Sequence, residues 1–258
     1  PPNTYQSRFF ELTSKQREIY DNLRDRYIAE LHDGTNVTAA NVLLRMTRLQ
    51  MICRNFYPPE KEGILCSACS GEGILNDGTD CVACEGIGIV VVTSQLRRID
   101  PKENPAIDAL SDELRASRMP AVIWCRFRQE VLDCLAATRA LGLNYFQYDG
   151  SMKEGDREAN YQAFKGGEGD GIIGTIASGL QRGKDLRRAG LLIYYSNDFA
   201  LRSRRQSEDR AESLEKTQST GIVDLVAVNT RDLQVIEALR AKKSIAEMIL
   251  GDPHVEWI

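Results

Sequence analysis

The spacing of apolar positions divides the chain into a helical beginning and an alternating remainder. Thr13-Ser14-Lys15-Gln16 reads as a capping box, and apolar residues then recur at Ile19, Leu23, Tyr27, Ile28 and Leu31 on one side of a helix. A second helical pattern covers about residues 38–53 through Val42, Met46, Leu49 and Ile52. Pro105 is placed to open a third, which carries Ile107, Leu110 and Leu114. Beyond it the period changes. Short apolar runs at 121–125, 143–147, 171–176, 191–195 and 222–228 predict strands covered on both faces. Helical stretches lie between most of them, at about 128–141, 153–164 and 203–214, with a last one at about 231–250. Such alternation predicts an α/β fold, a mainly parallel sheet with helices on both faces, preceded by the N-terminal helices.

In such sheets ligands gather in the loops beyond the carboxyl ends of the strands. Four loops there carry chemistry: the one with Arg126, the Tyr148-Asp149-Gly150-Ser151 turn, the Thr175 to Leu180 segment, and the stretch from Tyr195 into Arg205 to Ala211. Small residues and hydroxyls such as Thr175, Ser178 and Gly179 allow phosphates to approach backbone N–H groups. Any one of these loops alone is also ordinary strand-to-helix turn chemistry.

Composition alters this picture in three places. A hydrophobic content of 42% with 27% charged residues is that of a soluble globular protein, and no apolar run is long enough to span a bilayer. The formal charge of −4 argues against a protein coated in nucleic acid. Basic residues nevertheless cluster at Arg182, Lys184, Arg187 and Arg188, then at Arg202, Arg204, Arg205 and Arg210, a strip that suits phosphates or a solvated helix face. The seven cysteines suit a reducing compartment, cytoplasmic or nucleoid-associated, with Cys53, Cys125 and Cys134 in apolar stretches as core thiols. The chain opens Pro-Pro-Asn without a methionine, which suggests a piece of something longer.

Four of those cysteines form two matched knuckles, Cys66/Cys69 and Cys81/Cys84. Each short turn supplies two thiolates, and together they supply the four tetrahedral corners of a structural Zn²⁺ site. Glycines at 71, 73, 86 and 88 let the backbone curl towards the sulfurs. With no histidine nearby the expected site is closed, a staple rather than a catalytic centre; redox dithiols are the alternative. The repeated C-x-x-C-x-G-x-G pattern resembles the zinc-binding repeats of the J-domain chaperones. Those carry four repeats and this chain two, so chaperone function does not follow.

The remaining motifs resemble, in order and spacing, the second RecA-like lobe of the Swi/Snf-type ATPases of helicase superfamily two. The resemblance rests on LTSKQREIYDNL, LLRMTRLQMIC, VIWCRF, YDGSMKEGDREANYQAF, GTIASGLQRGKDL, QSEDRA and VDLVAVNTRDLQVIEAL. It implies that Thr175, Ser178 and Gly179 meet a DNA backbone, joined by Arg126 and Ser151. It implies that Gly183 and Asp185 lie near the cleft between two lobes, and that Gln206 and Arg210 face a nucleotide across that cleft. ATP and Mg²⁺ would be held chiefly by a first RecA-like lobe, since no Walker A sequence is present here. Duplex DNA and that first lobe are the partners implied, and no membrane.

One further departure bears on activity. The family usually has a second arginine three residues after the position of Arg210, and here that residue is Ser213. Either one of Arg202, Arg204 or Arg205 replaces it, or hydrolysis is weak. The expected layout is an N-terminal helical segment at 1–57, a zinc module at 58–93 and a RecA-like lobe at 94–258. The expected function is the C-terminal motor lobe of a DNA-dependent ATPase, inactive alone. The alternative is a non-catalytic, zinc-stapled module that binds nucleic acid or a partner motor.

Overall fold

The computed structural model describes residues 3–32, 39–57, 61–65, 68, 70, 75, 89–93, 97–211 and 218–241. All five expected runs form strands: β4 (Ala121–Cys125), β5 (Tyr145–Tyr148), β6 (Gly171–Thr175), β7 (Leu191–Tyr194) and β8 (Gly221–Ala227). With β1 (Thr4–Phe10) they make a six-stranded sheet in the order β1-β8-β7-β4-β6-β5, every pair parallel. Between and before them lie α1 (Ser14–His32), α2 (Ala39–Cys53), α3 (Pro105–Ala116), α4 (Arg128–Ala140), α5 (Glu154–Lys165), α6 (Leu201–Asp209) and α7 (Asp232–Arg240). α6 ends at Asp209 and α7 at Arg240, each followed by turn rather than helix, short of the expected 214 and 250; residues 212–217 and 242–250 lie outside those described.

The sheet is covered on both faces, as the unbroken apolar runs require. Ala121, Ile123 and Cys125 of β4 point into one core with α1, α2, α3, α4 and α7. Val122 and Trp124 point into the other, with Tyr161 and Phe164 of α5 and with Leu180, Leu186 and Ala189 of the crossover from β6 to β7. All three core cysteines are buried and unbridged.

β1 had no counterpart among the expected elements. It is an edge strand whose register with β8 pairs Thr4 with Gly221, across most of the chain. Its side chains are mostly exposed, Phe9 at 54%, so it lacks the buried run by which the other strands are recognised.

The capping box forms: Gln16 N donates to Thr13 Oγ1 at 3.2 Å and Thr13 N to Gln16 Oε1 at 3.1 Å. Gln16 also donates from Nε2 to the Ile52 carbonyl at 2.9 Å, which ties α1 to the end of α2. Just beyond, Arg54 is 1% exposed and lies between the rings of Phe10 and Tyr195. Its Nε donates to the Tyr195 carbonyl at 2.7 Å and its Nη2 to the Leu225 carbonyl at 3.0 Å. Its Nη1 lies 3.1 Å from Asp232 Oδ2, an ion-pair contact. One guanidinium thus joins the helical beginning to β7, β8 and α7. Arg54→Lys keeps the charge but cannot reproduce the planar fork, and is expected to cost about 2–3 kcal/mol in urea unfolding. An unchanged midpoint would show that the charge alone matters.

Between the first two helices and the lobe, the chain leaves and rejoins the core at one place. Tyr57 N donates to the Arg97 carbonyl at 2.9 Å, and Phe56 bridges to Arg98. Within this excursion β2 (Lys61–Leu65) and β3 (Ile89–Thr93) form an antiparallel ribbon in which Leu65 pairs with Ile89. Cys66, Cys69, Cys81 and Cys84 lie outside the described residues.

Candidate nucleic-acid and nucleotide surfaces

The helices of α/β sheets leave a crevice where neighbouring crossovers depart over opposite faces. Here β4 feeds α4 on one face, while β6 and β7 feed segments on the other. Candidate residues line the carboxyl edge at this point. Cys125 pairs with Thr175, and Tyr148 with Gly174, so the loops bearing Arg126, Thr175 to Gly179 and Ser151 emerge side by side.

Local chemistry shapes each loop. Ser178 Oγ donates to the Thr175 carbonyl at 2.6 Å, closing a single 3-10 turn, and Gly179 ends it at φ +86°. That left-handed conformation strains any residue with a Cβ. Asp149 accepts from Ser151 N at 2.7 Å and from Gln147 Nε2 at 2.5 Å, leaving Ser151 exposed on the turn. Burial raises the Asp149 pKa, but the hydrogen bonds from Ser151 and Gln147 outweigh it and hold the carboxylate below its ordinary value.

Arg126 is seated rather than free. Its Nη1 donates to Gln50 Oε1 and its Nη2 to Thr47 Oγ1, both at 2.8 Å, and its guanidinium lies 4.0 Å from the Phe199 ring centre. Burial lowers its pKa from the ordinary arginine value, with Asp198 and Glu130 opposing. Its backbone N–H is held by Glu130 Oε2 at 2.9 Å and by Ser196 Oγ at 2.7 Å. Burial raises the Glu130 pKa, opposed first by Arg54. Thr47, Gln50 and Glu130 were absent from the sequence reading. Their helical periodicity places them beside core positions, but the partner that gives each its role lies far along the chain.

A second group sits elsewhere. α6 starts beyond the carboxyl end of β7 and runs back, so Arg210 is not at the carboxyl edge, where the order of motifs had put that stretch. Instead its carbonyl accepts from Leu186 N at 3.1 Å, just before the turn that holds Gly190 N on the Pro120 carbonyl at 2.9 Å. Arg210 Nε faces the Gln181 carbonyl at 3.4 Å, and the side chain is exposed. Gln206, half-buried, lies one helical turn earlier on the same side. Gly183, exposed with φ +70°, and Asp185 belong to the same crossover as Gln181.

Asp185 is engaged: Arg187 Nε and Nη2 donate to its two oxygens at 2.9 and 2.8 Å. The Arg187 guanidinium holds the Asp185 carboxyl at a pKa of about 2, against the opposing effect of burial.

The basic strip resolves into ties and exposed charges. Arg188 donates to the carbonyls of Phe164, Gly167, Glu168 and Gly169, and Lys184 pairs with Glu158. Arg204 is buried, pairs with Asp224 and Glu208, and stacks 3.5 Å from the Tyr194 ring centre. It belongs to the core and is not available to replace the arginine missing at Ser213. Arg182, Arg202 and Arg205 are exposed, and Ser213 lies outside the described residues. Among the described residues no group of His, Cys, Asp or Glu has the arrangement of a metal site, and no helix is long and apolar enough to cross a membrane.

These observations define a class first. Residues 105–214 match the helicase conserved C-terminal domain family, and the six-stranded parallel sheet with its helices is a RecA-like fold. The particular relatives follow from that. The fold matches the C-terminal part of the Fun30 ATPase domain, with TM-score 0.63, 16% identity and 96% of each chain covered. It also matches the Sulfolobus solfataricus SWI2/SNF2 ATPase core in complex with dsDNA, with TM-score 0.62 and 13% identity, covering 99% of this chain and 47% of that one. In sequence the chain is 21% identical over 252 residues to the ATP-dependent helicase brm of Drosophila melanogaster, covering 93% of this chain. It is 31% identical over 83 residues to the chromatin-remodeling ATPase INO80 of Cryptococcus neoformans, 32% of this chain. The chain spans 14% of the length of brm and 5% of that of INO80.

Proposed function

We propose that this chain is the C-terminal motor lobe of a Swi/Snf-type, DNA-dependent ATPase that moves along duplex DNA. The observation that carries the reading is a shared segment. One crossover, residues 175–190, begins with the Thr175, Ser178 and Gly179 loop at the carboxyl edge and continues to Gln181 and Leu186, which both meet Arg210. A phosphate held at one end and a nucleotide approached at the other would bear on the same piece of backbone. DNA binding and ATP turnover would then be coupled.

In this mechanism Thr175, Ser178, Gly179 and Ser151 take DNA phosphates, which is sequence-independent and salt-sensitive, and Arg126 joins them with donors beyond the two that Gln50 and Thr47 accept. Arg210 reaches the γ-phosphate across the cleft, Gln206 supports it, and Gly183 and Asp185 lie at the cleft margin. ATP and Mg²⁺ are gripped by a first RecA-like lobe, which supplies the phosphate cradle that this sequence lacks. A DNA-containing compartment, nucleus or nucleoid, follows from the reading. Duplex DNA added to this lobe joined to a first lobe is expected to raise the ATPase rate. A rate indifferent to every DNA tested would count against it.

A second reading, a non-catalytic binding module, is favoured by Ser213 and by the engagement of Arg204 in the core. It predicts that Arg210→Ala changes neither DNA binding nor any ATPase of the joined protein.

The excursion at 58–93 is proposed as a structural Zn²⁺ module with Cys66, Cys69, Cys81 and Cys84 as thiolate ligands. The pairing of Leu65 with Ile89 brings the two ends of the cysteine-bearing segment together, as a four-cysteine site needs. Cys66→Ser and Cys81→Ser are each expected to release one zinc per chain, read by metal analysis. Thermal unfolding of the sheet should stay within a few degrees of the parent, because among the described residues the excursion meets the core where Tyr57 N donates to the Arg97 carbonyl. Global unfolding of either variant would show that the metal supports the main core.

A further inference from the structure

Arg126 is held by two side chains whose own donors are already committed. Thr47 and Gln50 share a face of α2, one helical turn apart, and accept from Arg126 Nη2 and Nη1. Thr47 Oγ1 itself donates to the Leu43 carbonyl at 2.7 Å, and Gln50 Nε2 donates to the Asn197 carbonyl at 2.9 Å. The hydroxyl therefore offers Arg126 a lone pair, and the amide is fixed with its oxygen towards the guanidinium. Phe199 covers one face of the same group.

Both acceptors are neutral, which sets this arginine apart. The buried Arg54 and Arg204 each have a carboxylate at ion-pair distance. Among the described ion pairs none includes Arg126, and Asp198 and Glu130 act on it from farther away. A half-buried cation at the carboxyl edge is thus fixed in place with its charge unpaired. An arginine that serves only to tie two elements together gains most from a carboxylate; one held by neutral groups keeps its attraction for an incoming anion.

We propose that Thr47 and Gln50 are positioning residues, which hold the Arg126 guanidinium ready for a DNA phosphate, so that α2 sets the strength of a contact made at the sheet edge. The inference rests on the proposal that the chain binds duplex DNA with Arg126 among its phosphate contacts. A long side chain immobilised before binding does not lose its rotamer freedom on binding, which corresponds to about 2- to 10-fold in affinity.

The test is binding of a short duplex by the 258-residue chain, read by fluorescence anisotropy over a range of salt. Arg126→Met keeps the stem and removes every donor; it should lower affinity and reduce the slope of log K against log salt by ~0.9. The Thr47→Val/Gln50→Leu variant leaves Arg126 charged but loosely held, and should weaken binding by about 2- to 10-fold with the slope unchanged. Thr47→Ser with Gln50 retained restores the hydroxyl and should recover the parent's affinity. In the Arg126→Met background the double substitution should weaken binding no further, since the group through which it acts is gone. Should the double variant fail to fold, Thr47→Val alone, which keeps its shape at a half-buried position, carries the same expectation with a smaller loss. A loss that persists undiminished in the Arg126→Met background would show general support of the fold and overturn the inference. So would a folded seat variant that binds as tightly as the parent, or an Arg126→Met variant that does. A parent that binds no duplex overturns the inference together with the DNA reading.

Discussion

Arg210→Ala, introduced into this lobe joined to a first RecA-like lobe, is expected to lower DNA-stimulated ATP turnover by roughly 10³-fold or more. An arginine that meets the transferring phosphoryl group across a cleft is worth about 10³–10⁵ in rate, about 4–7 kcal/mol of barrier. The geometry suits such a role: the side chain is exposed, and its one described contact is a 3.4 Å approach of Nε to the Gln181 carbonyl. Little stability depends on it, so loss of rate should come with an unchanged unfolding midpoint. Arg210→Lys should recover only a small part, because an ammonium replaces the charge but not the fork. Arg202→Ala and Arg205→Ala report whether either exposed arginine compensates for Ser213. A rate within a few-fold of the parent in all three alanine variants would leave the non-catalytic reading standing.

The second large effect concerns stability. Asp224 is fully buried and holds two arginines: Arg204 Nη1 at 2.6 Å and Arg240 Nη2 at 2.7 Å. Asn197 Nδ2 donates to it as well, at 3.1 Å. Asp224→Ala leaves the buried Arg204 with only Glu208 as a counter-ion, and breaking a buried pair in this way costs ~3–5 kcal/mol. Asp224→Asn should cost less, since the amide oxygen still accepts a hydrogen bond. Burial raises the Asp224 pKa, but Arg204 and then Arg240 outweigh it and hold the carboxylate below its ordinary value. A carboxylate depressed in the folded state contributes its stabilisation in full above its unfolded pKa, near 3.9, and loses it as pH falls through the folded value. The gap between parent and Asp224→Asn should therefore be constant from about pH 5 to 8 and narrow below about pH 4. A gap that persisted undiminished in acid would mean that packing, not charge, holds this position.

The five core strands were legible because each is a short apolar run, and burial on both faces is what such runs are for. Helix starts were legible where local chemistry marks them, as at Thr13 and Gln16 or at Pro105. β1 was not, because an exposed edge strand is defined by a partner more than two hundred residues away rather than by its own pattern. The roles of the basic residues were equally hidden. Arg188, Arg204 and Arg210 look alike in sequence, yet the first ties four carbonyls, the second sits in the core and the third faces solvent. Charge runs show where cations are abundant; only the fold tells which of them are already committed.

The most direct measurement mixes two separately purified halves, this chain and a matching first lobe, with ATP and duplex DNA. The account predicts no turnover by either half alone, DNA-dependent turnover by the mixture, and loss of that turnover when this half carries Arg210→Ala. Hydrolysis by this chain on its own, or full activity of the mixture with Arg210 replaced, would contradict it.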